Sequence, residues 1–232
     1  LSATVSNVET IARWLGTIRR DRFEVVREDA RPVPLEHLLV IPGKGAMGLD
    51  AFERLDRTYR EPRRRHAGDH AGRRMAGDDA RARKELLSLV QERGLLPCLY
   101  FAFNRRECEA LAKGNLWRNL LTRQESAEAA AQVDALARRY DMTEDPAALE
   151  VRALLVRGIA YHHAGLLPTL KEVVERLFTT GLVKLLFATE TFALGVNMPA
   201  KAVAFDTLHK FDGVRRSFII KFHVADLGHA GF

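Results

Sequence analysis

The feature that most constrains this chain is the recurrence of short apolar runs, each closed by polar residues and followed by a segment with helical spacing. A strand buried on both faces of a parallel sheet needs a crossover, usually a helix, to reach its neighbour, so this alternation is the signature of βα units. "EHLLVIP" (Glu36 to Pro42) predicts one strand, and "LPCLYFAF" (Leu96 to Phe103) a continuous, doubly buried one. "RGIAYH" (Arg157 to His162), "VKLLFA" (Val183 to Ala188) and "KAVAFD" (Lys201 to Asp206) complete the set. After Pro168, the residues Leu170, Val173, Val174, Leu177 and Phe178 share one helical face, with Pro168 suited to the first turn and Gly181 to the stop. Residues from about Gln124 to Tyr140 and from Pro146 to Val156 read as two further helices, inserted between strands. The expected fold class is α/β: a doubly wound, mostly parallel sheet with helices on both faces and a helical insertion.

With 232 residues, 47% of them hydrophobic, the chain can bury a core of one large domain or two small ones. It contains no run of 18 or more apolar residues and no secretory-signal pattern, so no membrane partner is expected and a cytoplasmic setting follows by default. Cys98 and Cys108 lie in an apolar run and in the helical segment after it, which predicts reduced core thiols and not a disulfide or a nucleophile. A formal charge of +6 and a pI near 9.6 fit an anionic partner such as nucleic acid, but where the charge lies matters more. In the glycine-rich stretch from Gly43 to about Arg83, seven arginines (57, 60, 63, 64, 65, 73 and 74) cluster between Arg57 and Arg74 against the acids Glu61 and Asp69. Composition predicts a solvated, flexible insertion there, or an arm that touches phosphates without specificity.

In an open parallel sheet, the loops leaving the carboxyl ends of the strands share one edge, and ligands bind along it. Three such junctions carry unusual polar groups. After Phe103 the chain reads "NRRECEALAK": Asn104 suits an N-cap, but Arg105 and Arg106 then fall in the first turn, where the helix dipole is already positive. Glu107 and Glu109 offset part of that cost, and an anion bound at the helix start would reverse its sign. The second junction, "YHHAGLLP" (Tyr161 to Pro168), holds His162 and His163, whose adjacency and distance from the cysteines argue against a metal. Either a histidine and the backbone amides near Ala164 and Gly165 contact a phosphate, or this is a capped turn with one buried histidine. The third is "LLFATETFALGVNMPAKAVAF" (Leu185 to Phe205), where Thr189 follows a strand, Glu190 suits an arginine or a ribose hydroxyl, Gly195 permits close backbone approach and Asn197 offers both donor and acceptor. Together the three junctions suggest an extended polyanion lying across several loops.

These residues resemble the second RecA-like domain of the superfamily-two DExH-box helicases, specifically the superkiller-type RNA helicases of RNA turnover. "LSATVSN" (Leu1 to Asn7) is similar to the third helicase motif at the end of the first RecA-like domain, "CLYFAFNRRECEALA" to the fourth motif, and "LFATETFALGVNMPAK" to the fifth. "GIAYHHAGLLPTLKEVVERLF" is similar to the strand and helix between the last two. The resemblance implies that Ser2 and Thr4 couple the two domains, and that Asn104, Arg105, His163, Gly165 and Thr189 lie along the sugar-phosphate backbone with Glu190 and Thr191 in support. It also implies that Gly195 and Asn197 face the nucleotide. ATP with magnesium would be the cofactor, single-stranded RNA the partner with DNA possible, and stepping would run 3′ to 5′.

The resemblance divides the chain into residues 1–20 (end of the first RecA-like domain), 21–42 (linker and first strand), 43–85 (basic flexible insertion) and 86–218 (second RecA-like, helicase C-terminal domain). The last contains a helical insertion at about 115–156, and 219–232 form an atypical tail. The glycine-rich loop ending in Gly-Lys-Ser/Thr and the acidic, magnesium-holding motif do not occur in these 232 residues, and "GKGAMG" (Gly43 to Gly48) has the wrong spacing and reads as loop. After "HKFDGVRRSF" (His209 to Phe218) a sixth, Gly-Arg-rich motif is expected, where the chain reads "IIKFHVADLGHAGF". The expectation is a motor-domain piece that does not hydrolyse ATP alone, with the first RecA-like domain as its missing partner. The alternative is a non-catalytic RNA-binding or scaffold module derived from the helicase fold.

Overall fold

A computed structural model of the chain describes residues 8–18, 25, 36–41, 43–48, 50–51, 54, 70–189, 192, 199–205, 209–211 and 216–218. Its centre is a four-stranded, wholly parallel sheet of β3 (Cys98–Phe101), β4 (Ile159–His162), β5 (Leu185–Ala188) and β6 (Ala202–Phe205), in the spatial order β4-β5-β3-β6. The flanking helices include α3 (Arg105–Gly114), α4 (Arg123–Arg139), α5 (Pro146–Leu155) and α6 (Pro168–Thr179). This is the α/β arrangement that a RecA-like resemblance implies. β3, β4 and β5 are buried along their whole length, as continuous apolar runs require, and Leu99, Tyr100, Ile159, Leu186 and Phe187 are fully enclosed. Each such side chain contributes about 1.5–3 kcal/mol by leaving water.

Register fixes which residues share an edge. Phe101 pairs with both Ala188 and Phe205, and His162 with Ala188, so the carboxyl ends of all four strands stop at one level. β3 comes first in sequence yet sits inside the sheet, with β5 on one side and β6 on the other. The order therefore turns back beside β3, the place where open α/β sheets bind ligands. Helix α3 packs on β4 and β5, which carries its N-terminus over that edge.

The inserted helices form because their ends are well capped. Thr122 and Glu125 make a reciprocal capping box at α4, and Asp145 caps α5 with Pro146 in its first turn. Arg152 grips Asp134 with two hydrogen bonds and joins the pair, while Lys184 donates to Glu125 at 2.8 Å and ties α4 to the approach of β5. Pro168 opens α6, and Gly181, at φ +76°, takes the left-handed position that ends it. Cys98 and Cys108 are both buried and unpaired, and burial pushes each thiol up to about 12, far from thiolate chemistry.

Two elements depart from the sequence reading. The strand at 36–42 exists as β1 (Leu38–Ile41), but it pairs antiparallel with β2 (Gly45–Gly48) in a separate two-stranded sheet. Gly43 at φ +73° and Gly45 at φ +76° allow the tight return, so "GKGAMG" is a turn and strand, not a loop. Within the stretch read as a flexible insertion, helix α2 begins at His70 and runs to Glu92. Glu85 of α2 accepts the Gly43 amide and Arg81, fastening the hairpin to the helix; the Arg81 hydrogen bond, then that of Gly43, holds its carboxyl below the usual range. Residues 55–69, with most of the clustered arginines, lie outside the described residues. α1 (Val8–Ile18) leaves Ile11, Trp14 and Ile18 exposed, and β7 (His209–Phe211) pairs antiparallel with β8 (Arg216–Phe218).

Candidate nucleic-acid interface

The edge is built from the turns after β3, β4 and β5. After β3, Asn104 caps α3 as its residue type suggests: Oδ1 accepts the Glu107 amide at 2.8 Å, and Nδ2 donates to the Glu107 carboxylate at 3.2 Å. Arg105 and Arg106 occupy the exposed first turn, where a cation costs roughly 0.3–1 kcal/mol against the helix dipole. Neither arginine has a carboxylate partner among the described residues. The two glutamates that sequence sets beside them are engaged elsewhere, Glu107 by Arg83 at 2.6 Å and Glu109 by His163 and Lys113. The uncompensated positive charge at this helix start is thus available to an anion.

After β4 the two histidines part. His162 donates or accepts through Nε2 to Glu175 at 2.7 Å and lies edge-on to Phe192, while its buried Nδ1 has no hydrogen-bond partner among the described residues. Burial lowers its pKa, and Glu175 opposes the shift. His163 is 3% exposed and turns the other way. Its Nδ1 accepts the Gly165 amide at 3.1 Å, so the ring proton sits on Nε2 and is donated to Glu109 at 3.0 Å. The His163 ring caps the turn and both histidines are buried, where one was expected in the capped-turn reading; both ring nitrogens of His163 are engaged within the protein. Ala164 and Gly165 themselves are exposed. Lys171 of α6 donates to the Ala164 carbonyl at 3.3 Å, adding a cation that sequence reading had not singled out.

Gly165 brings the first two turns together. A β-carbon there would stand 3.2 Å from Arg105 Nη1, 3.3 Å from its Cδ and 3.3 Å from His163 Nδ1, so the arginine lies across a bare backbone. After β5, the half-buried Thr189 donates its amide to the His162 carbonyl at 3.2 Å and accepts Phe192 at 3.0 Å. β5 lies between β4 and β3, so Thr189 sits between the other two turns. Asn104, Arg105, His163, Gly165 and Thr189 are therefore gathered on one edge. Ser2, Thr4, Glu190, Thr191, Gly195 and Asn197 lie outside the described residues.

No protein-family model matches the chain. Superkiller complex protein 2 of Mus musculus is 38% identical over 234 residues, covering 92% of this chain and 19% of its own length. Exosome RNA helicase MTR4 of Homo sapiens is 35% identical over 228 residues, covering 92% of this chain and 22% of its own, and the probable helicase HelY of Mycobacterium leprae is 40% identical over 242 residues, covering 92% and 26%. The chain is homologous to a segment of the superkiller-type DExH-box helicases. It spans about a fifth to a quarter of the length of these curated relatives. Sequence reading gave no role to Glu150 or to the Tyr161 side chain and set Glu109 only as a screen for the arginines: Tyr161 stacks on His163 with ring centroids 5.4 Å apart, and its hydroxyl donates to Glu150 at 3.0 Å. Burial raises the Tyr161 hydroxyl's pKa, keeping it a donor. Only a three-dimensional register brings these groups to the turn, because Glu109 comes from α3, Glu150 from α5 and Tyr161 from β4.

Proposed function

We propose that this chain is the second motor-domain segment of an ATP-dependent RNA helicase that steps 3′ to 5′, and that its carboxyl edge grips the sugar-phosphate backbone of single-stranded RNA. The observation that carries this reading is Arg105: it lies over Gly165, at a helix start whose acids are occupied by Arg83, His163 and Lys113. An anion is the ligand such a place suits, and a row of such turns suits a chain of phosphates. Asn104 and Thr189 contribute polar atoms along the same row, and His163 supports the turn from beneath. Contacts of this kind carry no base information, so binding is sequence-independent and salt-sensitive. RNA is favoured because the relatives include proteins named as RNA helicases.

Gly195 and Asn197 follow the same strand and would form one wall of the nucleotide cleft, Glu190 and Thr191 would support the strand surface, and Ser2 and Thr4 would couple this domain to the first. ATP with magnesium, when bound, supplies the phosphoryl-transfer chemistry, and the residues that would cradle its phosphates and hold the metal are not among these 232. The chain alone should not turn over ATP. ATPase assays on the chain, and on a protein extended to carry the upstream domain and the sixth motif, test this. RNA-stimulated turnover is expected only from the extended protein. Turnover indifferent to RNA contradicts the reading, and RNA binding without any turnover would make the segment a non-catalytic module.

A further inference from the structure

We propose that Glu109 is a positioning residue of this interface: through the buried imidazole of His163 it holds the Ala164–Gly165 turn so that Arg105 seats over Gly165. This rests on the reading of the edge as an RNA grip. Glu109 lies one helical turn after Arg105 on α3 and is its natural i, i+4 counter-charge. It is turned instead to His163 Nε2 at 3.0 Å, with Lys113 at 3.7 Å on its other oxygen. The imidazole passes the connection on, since Nδ1 accepts the Gly165 amide at 3.1 Å. One ring thus joins helix α3 to the backbone of the turn and sets the gap into which Arg105 fits.

The brace is closed from behind. Tyr161 stacks on the His163 ring at an interplanar angle of 13°, which limits rotation of the imidazole. Its hydroxyl donates to Glu150 Oε1 at 3.0 Å, and Glu150 Oε2 accepts Lys113 at 2.9 Å, which returns the path to Glu109. Glu150 belongs to α5, so the helical insertion takes part in setting the edge. Two consequences follow from the same carboxylate: the turn is held at one distance from α3, and Arg105 is denied its nearest counter-charge and keeps its own for a ligand. Residues in one hydrogen-bonded network are non-additive when changed, which makes the idea measurable.

The test uses the full chain and a fluorescently labelled single-stranded oligouridylate, titrated by anisotropy with the variants Arg105→Ala, Glu109→Ala, Glu109→Gln and the Arg105→Ala/Glu109→Ala pair. Glu109→Ala should weaken binding roughly three- to thirtyfold, within the span expected for coupled neighbours. Glu109→Gln, which keeps an acceptor for His163, should restore most of it. In the Arg105→Ala background the loss from Glu109→Ala should vanish, because the residue it positions is gone. His163→Gln, whose single amide stands near the Nε2 position and leaves no acceptor where Nδ1 meets the Gly165 amide, should behave like Glu109→Ala and serves if that variant folds poorly. Ring ¹⁵N spectroscopy of the free chain should find His163 protonated on Nε2 and bare on Nδ1. Additive losses in the two backgrounds, wild-type binding by Glu109→Ala, or a proton on Nδ1 each overturn the proposal. Normal binding by Arg105→Ala with the expected His163 spectrum would overturn the RNA-grip reading and the positioning role resting on it, leaving the brace a feature of the fold.

Discussion

Arg105 lies across Gly165, with Nη1 3.2 Å and Cδ 3.3 Å from the point a β-carbon at 165 would occupy. The two residues come from different βα junctions, and their apposition turns neighbouring loops into a single surface. The space that glycine leaves is filled by the arginine itself.

Gly165→Ala should therefore separate stability from binding. The added methyl meets the flexible stem of an exposed arginine and, at 3.3 Å, the edge of the buried His163 ring, which must yield by a few tenths of an ångström, so thermal unfolding should fall by no more than about 1 kcal/mol. Oligouridylate affinity should fall severalfold as Arg105 is displaced. Parallel melting and anisotropy titrations check both halves.

Gly158→Ala should do the reverse. Gly158 stands at φ +77°, and a β-carbon there would lie 2.9 Å from Leu121 Cγ. The left-handed backbone costs a non-glycine residue about 1–3 kcal/mol, and overpacking against Leu121 adds about 1–3 more. The Gly158 carbonyl also accepts the amides of Lys184 and Leu185, so strain there reaches the start of β5. A clear drop in the urea midpoint is expected.

Glu125 gives stability a dependence on acid pH. The Lys184 hydrogen bond, with the Thr122 amide, lowers its carboxyl from 4.5 to about 2. A carboxylate depressed in the folded state contributes stability above its unfolded value, and that contribution is lost as pH falls from about 4.5 toward 2. Glu125→Gln should be less stable than the parent at neutral pH, and the gap in urea midpoint should narrow on acidification through that window.

His162 acts at higher pH. Burial lowers its pKa from 6.5, so the unfolded chain takes up a proton that the folded chain resists. Its contribution is whole above 6.5 and erodes as pH falls below. Between neutral pH and mild acid, the parent should lose more melting temperature than His162→Gln.

Much of the fold was legible because local pattern and tertiary role agree. The four parallel strands lie inside the predicted apolar runs, Asn104 caps α3, Pro168 opens α6 and Gly181 ends it. β1 was legible as a strand but not as part of a hairpin, since its partner, Gly45–Gly48, lacks strand-favouring residues and depends on glycine geometry. α2 was hidden over its first turns by arginines and glycines that give no apolar stripe. At the edge, sequence identified Arg105 and Gly165 but read Glu107 and Glu109 as partial screens for the arginines. The structure engages them with Arg83, His163 and Lys113, pairings set by packing that no local spacing encodes.

An edge that holds RNA by its phosphates releases counterions when it binds. The most direct measurement is the salt dependence of oligouridylate binding by the chain and by Arg105→Ala, taken between roughly 50 and 200 mM salt. Parent affinity should fall steeply with salt, and Arg105→Ala should both weaken binding and flatten the logarithmic slope by about 0.7, the loss of one single-strand phosphate contact. Equal affinity and equal slope for the two proteins would contradict a phosphate grip at this edge.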